Sequence, residues 1–145
     1  MKGRILVVDD EREIRDFLSR HLRYCGYEVE TACDGVEALE KLEQVRVDVM
    51  VSDIRMPRMD GVMLLEHVRR EFPMVRTIMI TGYVAQEAIL ACMREGAETC
   101  VFKPLEDLSE LEDAVEAAVS VIRKWWQILG NLRSVRPDQS GAGGG

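Results

Sequence analysis

Three carboxylates, a hydroxyl and an ammonium stand at points of this 145-residue chain where short apolar runs stop. Asp9-Asp10 follows the run Arg4 to Val8, and Asp53 follows Val47 to Ser52. Thr81-Gly82 follows Arg76 to Ile80, and Lys103-Pro104 follows Glu98 to Phe102. An aspartate after a strand is most often a turn or cap residue. In a parallel sheet, however, these four ends share one edge, where open α/β sheets place their ligands. Carboxylates so gathered repel one another and call for a cation. A small set of oxygen donors suits Mg²⁺, which keeps several waters and bridges carboxylate to phosphate. A carboxylate can also attack phosphorus to give an aspartyl phosphate. Lys103 would then supply a point charge and Thr81 a hydroxyl donor to the transferring group.

The elements that must position these groups follow from periodicity. Val47 to Ser52 is β-branched and apolar with no helical stripe, which predicts a central strand buried on both faces. Pro57 disfavours helix at Met56, and Asp60-Gly61 marks a turn with Asp60 placed to cap the next helix. Ile14, Phe17, Leu18, His21 and Leu22 recur at helical spacing until Gly26 ends the element. Tyr27 to Ala32 is a more polar strand, expected at a sheet edge. Helices are predicted after Asp34-Gly35, from Asp60 to Glu71, near Gln86 to Glu95, and from about Leu108. Strands alternating with helices predict an α/β fold: a doubly wound five-stranded parallel sheet, order 2-1-3-4-5, flanked by five helices.

Composition narrows the rest. A hydrophobic share of 47% over 145 residues supports one domain with its own core. The net charge of −7 argues against general affinity for nucleic acid or anionic membrane. No apolar stretch reaches membrane-spanning length, and a cytoplasmic setting is expected. Cys25, Cys33, Cys92 and Cys100 form no Cys-x-x-Cys pair and read as reduced thiols rather than a metal site or disulfide framework. His21 and His67 lie on predicted amphipathic helices and read as interfacial or surface residues.

Taken together, Asp9-Asp10, Asp53, Met56-Pro57, Met59-Asp60-Gly61, Thr81-Gly82 and Lys103-Pro104 resemble, in order and spacing, the response-regulator receiver domain of bacterial two-component signalling. The resemblance implies a receiver over 1–122; the helical pattern carries an extension of the last helix over 123–135, and the Pro-, Ser- and Gly-rich composition of 136–145 predicts a disordered tail. It implies a phospho-accepting signalling module rather than a turnover enzyme, one that assists its own phosphorylation and dephosphorylation. Asp53 would be the acceptor. Mg²⁺ would be bound by Asp10, Asp53 and the Arg55 backbone carbonyl, with Asp9 reaching it through water. Thr81 and Lys103 would contact the phosphoryl group, and Lys103-Pro104 would be a cis peptide. The implied partners are a histidine kinase or phosphotransfer protein and a downstream protein, with no effector domain in this chain. Asp53-Ile54-Arg55-Met56-Pro57 and Ile80-Thr81-Gly82-Tyr83 also resemble receivers of enhancer-binding activators.

One position departs from the family. Many receivers carry Tyr or Phe three residues before the lysine, where this chain has Cys100, and Phe102 is expected on the opposite face of the strand. The switch region is therefore expected to involve Tyr83, Cys100, Phe102 and Pro104. Rival readings are an aspartyl-nucleophile phosphatase, a flavodoxin-like nucleotide binder, and a receiver used only as an interaction module. The first usually carries a second acid where this chain has Arg55; the second would want a phosphate-cradling loop where Asp9-Asp10-Glu11 stands.

The last helix carries Leu108, Val115, Ile122 and Leu129 at seven-residue spacing, with Leu111, Ala118 and Trp125 at the matching positions. From Leu108 to Leu129 it would run roughly 33 Å. A strand covers only about 17–20 Å, so Trp125, Trp126 and Leu129 are expected to overhang the domain. They either fold back as a lid or form an interface; a homodimer, through the fourth helix, fifth strand and fifth helix, or a partner-protein contact at the Trp125–Leu129 end is the expectation.

Overall fold

The computed structural model describes residues 2–82, 85–105 and 107–139. The chain alternates strand and helix throughout: β1 (Arg4–Val8), α1 (Arg12–Tyr24), β2 (Glu28–Ala32), α2 (Gly35–Gln44), β3 (Val49–Asp53), α3 (Gly61–Glu71), β4 (Arg76–Thr81), α4 (Gln86–Arg94), β5 (Thr99–Phe102) and α5 (Ser109–Gln139). The strands form one parallel sheet in the order β2-β1-β3-β4-β5. This is the expected topology, and the more polar β2 does lie at an edge.

Side-chain alternation along the central strands sorts the core into two layers. Ile5, Val7, Val49, Val51, Ile78 and Ile80 face α1 and α5, packing with Leu18, Leu22, Leu111 and Val115. Leu6, Val8 and Met50 face α2 and α3. Met79 packs with Ile54, Leu65 and Cys92 toward α3 and α4. All five residues of β3 are buried, as a strand covered on both faces requires. Just before its first residue, Asp48 also bonds to both neighbouring strands, its amide donating to the Arg4 carbonyl. The Asp48 carboxylate accepts the Arg4 amide at 2.9 Å, and its carbonyl accepts the Arg76 amide.

The starts of α2 and α3 are fixed by side-chain caps. Asp34 accepts the Glu37 amide and Asp60 the Met63 amide, each at 2.9 Å. The loop between β3 and α3 is anchored by an ion pair from Arg58 to the buried Asp34, with Arg58 in the left-handed region at φ 70°.

One sequence expectation needs correction. Cys100 and Phe102, two residues apart on β5, share a face of the strand rather than opposing each other, because the side-chain period is two. They differ in cover instead: Cys100 packs beside Ile54, Met79 and Cys92, whereas Phe102 is 44% exposed at the sheet edge. The last helix runs without a break from Ser109 to Gln139. Pro137 lacks a backbone donor, but a proline near a helix end removes one hydrogen bond without obliging the helix to stop before it. Residues 140–145 lie outside the described residues.

Helix α5 spans 31 residues, about 46 Å. Leu111, Val115, Ala118, Val119 and Ile122 are buried on the sheet. Beyond Ile122 the tryptophans divide. Trp126 turns back under the Arg46 guanidinium, 4.4 Å from its ring centre, while Trp125 stays 49% exposed. Ile128, Leu129 and Leu132 are exposed with it, at the i, i+3, i+4 and i+7 positions of one helical stripe. No helix among the described residues is long and apolar enough to cross a membrane.

Candidate functional site at the carboxyl edge of the sheet

The strand ends meet as their spacing predicts. Asp53 is the last residue of β3 and pairs in register with Ile80, while Thr81 ends β4 opposite Phe102. One Asp53 oxygen, Oδ1, accepts the Ile54 amide at 2.7 Å and the Arg55 amide at 3.4 Å. The other, Oδ2, accepts from Lys103 Nζ at 3.0 Å. The same ammonium donates to Asp9 Oδ2 at 3.3 Å and lies 3.6 Å from Glu11. Asp9 is further tied by the Glu11 amide at 2.9 Å. Asp10 is exposed, yet a carboxylate oxygen from each of Asp9, Asp10 and Asp53 lies within 4.8 Å of the others. Lys103-Pro104 is a cis peptide bond.

Burial decides the electrostatics. Asp9 is 1% exposed and Asp53 6%. Burial pushes the Asp9 carboxyl above its usual range, against the Glu11 amide and the Lys103 charge, and Asp53 adds to the upward push. Burial alone would lower Lys103; the hydrogen bond and charge of Asp53, and then those of Asp9, outweigh it and hold the ammonium above the ordinary lysine value. At neutral pH Lys103 is therefore a cation between two buried acids. An open cleft of about 520 Å³ fronts the group, lined by Asp10, Glu11, Asp53, Arg55, Thr81, Gly82 and Lys103.

The donor set fits Mg²⁺: oxygen only, few in number, converging from β1 and β3, with an exposed member at the cleft. Asp9, Asp10 and Asp53, whose oxygens converge, are the side chains that could hold the ion, with Arg55 lining the same cleft. Of the expected switch residues, Thr81 is fully buried, Cys100 is half-buried, Phe102 and Pro104 are exposed, and Tyr83 lies outside the described residues.

Sequence reasoning missed two supports of this site. Gly61 packs so closely under β3 that a Cβ there would lie 2.2 Å from the Asp53 carbonyl oxygen. Its Asp-Gly context signalled only a turn. The Arg58–Asp34 ion pair joins residues 24 apart, with no local signal in the sequence.

The model of the response regulator receiver domain matches residues 5–116, and the chain belongs to that family. It is thus a signalling receiver domain of the two-component type. It is 38% identical over 142 residues to the protein-glutamate methylesterase/protein-glutamine glutaminase 1 of Anaeromyxobacter dehalogenans, covering 94% of this chain and 40% of that protein. A CheY-like receiver-domain crystal structure from Methanospirillum hungatei superposes with a TM-score of 0.80 at 33% identity, covering 84% of this chain and 97% of that one. The Thermotoga maritima response regulator TrrA, crystallised with Mg²⁺ and BeF, gives 0.73 at 34% identity, covering 80% and 98%. The chain spans less than half the length of the curated relatives it matches.

Proposed function

We propose that Asp53 accepts a phosphoryl group from a histidine kinase or phosphotransfer protein and that the domain relays its phosphorylation state to a downstream protein. The observation that carries this reading is the Asp53 carboxylate at an open cleft, bonded to Lys103 and flanked by the oxygens of Asp9 and Asp10. An Asp53 carboxylate oxygen attacks phosphorus, forming the acyl-phosphate O–P bond as the donor's P–N bond breaks and its electron pair returns to the imidazole. The Ile54 amide steadies Oδ1, so the carboxylate is oriented before the donor arrives. Lys103 Nζ, now shared by Asp53 and Asp9, offers its charge to the phosphoryl oxygens, and the Thr81 hydroxyl donates beside it. Asp9, Asp10 and Asp53 would hold Mg²⁺, whose charge would offset their mutual repulsion and that of the arriving phosphoryl group.

The test is intact-mass spectrometry after incubation with acetyl phosphate and Mg²⁺. One phosphoryl group per chain is expected, with none in Asp53→Asn and little without Mg²⁺. Equal labelling of Asp53→Asn would remove the assignment. The switch we assign to Thr81 and the face of β5 bearing Cys100 and Phe102. With Cys100 in place of an aromatic ring, the readout at position 100 itself is a change of packing rather than a ring rotation.

The stripe Trp125, Ile128, Leu129 and Leu132 continues the seam that α5 buries on its own sheet as far as Ile122. We assign it to a second copy of this chain, since a seam at seven-residue spacing is complementary to itself. Trp126 belongs instead to the domain's own end, held by Arg46. Sedimentation velocity over a dilution series should show Trp125→Ala/Leu129→Ala dissociating at concentrations where the wild type is dimeric. A wild-type mass retained by the variant throughout would return the stripe to simple exposure.

A further inference from the structure

On the opposite side of the sheet from α3, the C-terminal end of α1 meets the first turn of α5 and brings three different donor atoms together. His21 and Cys25 are four residues apart, one helical turn, and so project from the same face of α1 and its cap. Glu112 reaches them from α5, 91 residues after His21. His21 Nε2 lies 2.6 Å from Glu112 Oε2 and 3.7 Å from Cys25 Sγ, and all three atoms fall within 4.8 Å of one another. We propose that His21, Cys25 and Glu112 form a second metal site, distinct from the acidic cleft and selective for a borderline transition ion of the Zn²⁺ class.

The donor chemistry separates the two sites. The Asp9, Asp10 and Asp53 cluster is oxygen only and suits a hard ion. Imidazole, thiolate and carboxylate together suit Zn²⁺, whose three-ligand sites leave the fourth position to water. Bond lengths of about 2.0 Å to N and O and about 2.3 Å to S place tetrahedral donors roughly 3.3–3.6 Å apart. The Cys25–His21 separation of 3.7 Å is close to that edge length already. The His21–Glu112 separation is a hydrogen bond and must open by less than about 1 Å. Glu112 can give way cheaply, because its side chain is flexible and 43% exposed. His21 is more enclosed, at 24%. The backbone on both sides is set by packing of Leu18 and Leu22 against Leu111 and Val115, so two ligand-bearing elements are held before any ion binds.

Charge closes the set. A neutral imidazole with a thiolate and a carboxylate carries two negative charges, matched by one divalent ion. The Lys2 ammonium, which donates to the Cys25 carbonyl at 2.9 Å, favours the thiolate form. In the metal-free protein burial and the Glu112 charge keep the thiol protonated, and a coordinated ion displaces that proton. Bound there, the ion would pin the start of α5, the helix that follows Lys103-Pro104, to the end of α1.

The experiment is a titration of the full chain with Co²⁺ and then Zn²⁺, under reducing conditions and with Mg²⁺ in excess to occupy the carboxylate cleft. One equivalent of Co²⁺ should give a thiolate-to-cobalt charge-transfer band with tetrahedral d–d absorption, and Zn²⁺ should abolish both. Cys25→Ser should remove the charge-transfer band, and His21→Gln or Glu112→Gln should weaken Zn²⁺ by about tenfold or more. Cys33→Ser, at the exposed cysteine beside Asp34 and Glu37, should leave the signal intact. A band that survives Cys25→Ser, one that depends on Cys33, or no uptake at all would overturn the site. A second readout needs no variant: Zn²⁺ should slow alkylation of Cys25 in the wild-type chain, as read by peptide mapping. Alkylation of Cys25 at an unchanged rate would overturn the proposal equally.

Discussion

Replacing Lys103 with alanine should cost the metal-free protein roughly 3 kcal/mol of unfolding free energy, at the lower end of what breaking a buried ion pair costs. The lower end applies because the cleft opens to solvent on one side. Lys103 is bonded to both Asp9 and Asp53, which are almost wholly buried. Without it, two carboxylates stay desolvated beside each other and beside Asp10. The pH dependence has a definite sign. Lys103 is held above its ordinary value of 10.5, so its stabilisation is complete below that pH and disappears as pH rises through the higher folded value. Asp9 is displaced the unfavourable way for an acid. Its charged form weakens the fold, and that cost vanishes as pH falls through its raised value above 3.8. The Lys103→Ala deficit should therefore be largest between these limits and shrink on both sides. Urea unfolding in a chelator at several pH values checks this, and Mg²⁺ should recover part of the loss. A variant as stable as wild type at neutral pH would mean that the acids are relieved in some other way.

Gly61→Ala should be the most damaging single-methyl change in the molecule. Helix propensity alone favours alanine by about 1 kcal/mol, yet the added Cβ would sit 2.2 Å from the Asp53 carbonyl oxygen and 2.8 Å from Ile54 Cα. Both neighbours are backbone, so neither can rotate away, and the Gly61 amide is bonded to the Ile54 carbonyl at 2.7 Å. The clash prevails: overpacking of this kind typically costs about 1–3 kcal/mol and sometimes more. The displacement falls on the residue bearing the acceptor carboxylate, so phosphoryl labelling should fall along with stability. Thermal unfolding and labelling of the same sample test both halves. A variant that kept wild-type stability and labelling would show that the approach of α3 to β3 relaxes freely.

The contrast between these two residues shows what the amino-acid sequence discloses. Lys103 and its acids were legible because each ends an apolar run, and a parallel sheet must bring such ends to one edge. Strand order, the edge position of β2, the helix start at Asp34-Gly35 and the cap at Asp60 followed from similarly local patterns. The closeness of Gly61 to Asp53 was not legible, because turn chemistry accounts for a glycine after aspartate without any reference to a neighbouring strand. The Arg58–Asp34 pair and the meeting of His21 and Cys25 with Glu112 were hidden for another reason. They join elements distant in sequence, and their register depends on how helices settle on the sheet. Trp125 and Trp126 look equivalent as a pair. The helical step of about 100° between neighbours sends one to Arg46 and the other to solvent.

The central claim, that Asp53 is the acceptor, is tested most directly by locating the acyl phosphate. After labelling with acetyl phosphate and Mg²⁺, borohydride reduction converts an aspartyl phosphate to homoserine, which tandem mass spectrometry places in the sequence. The account predicts homoserine at position 53 and at neither 9 nor 10. Homoserine at Asp9 or Asp10, or a phosphoryl group carried elsewhere with position 53 unmodified, would contradict it.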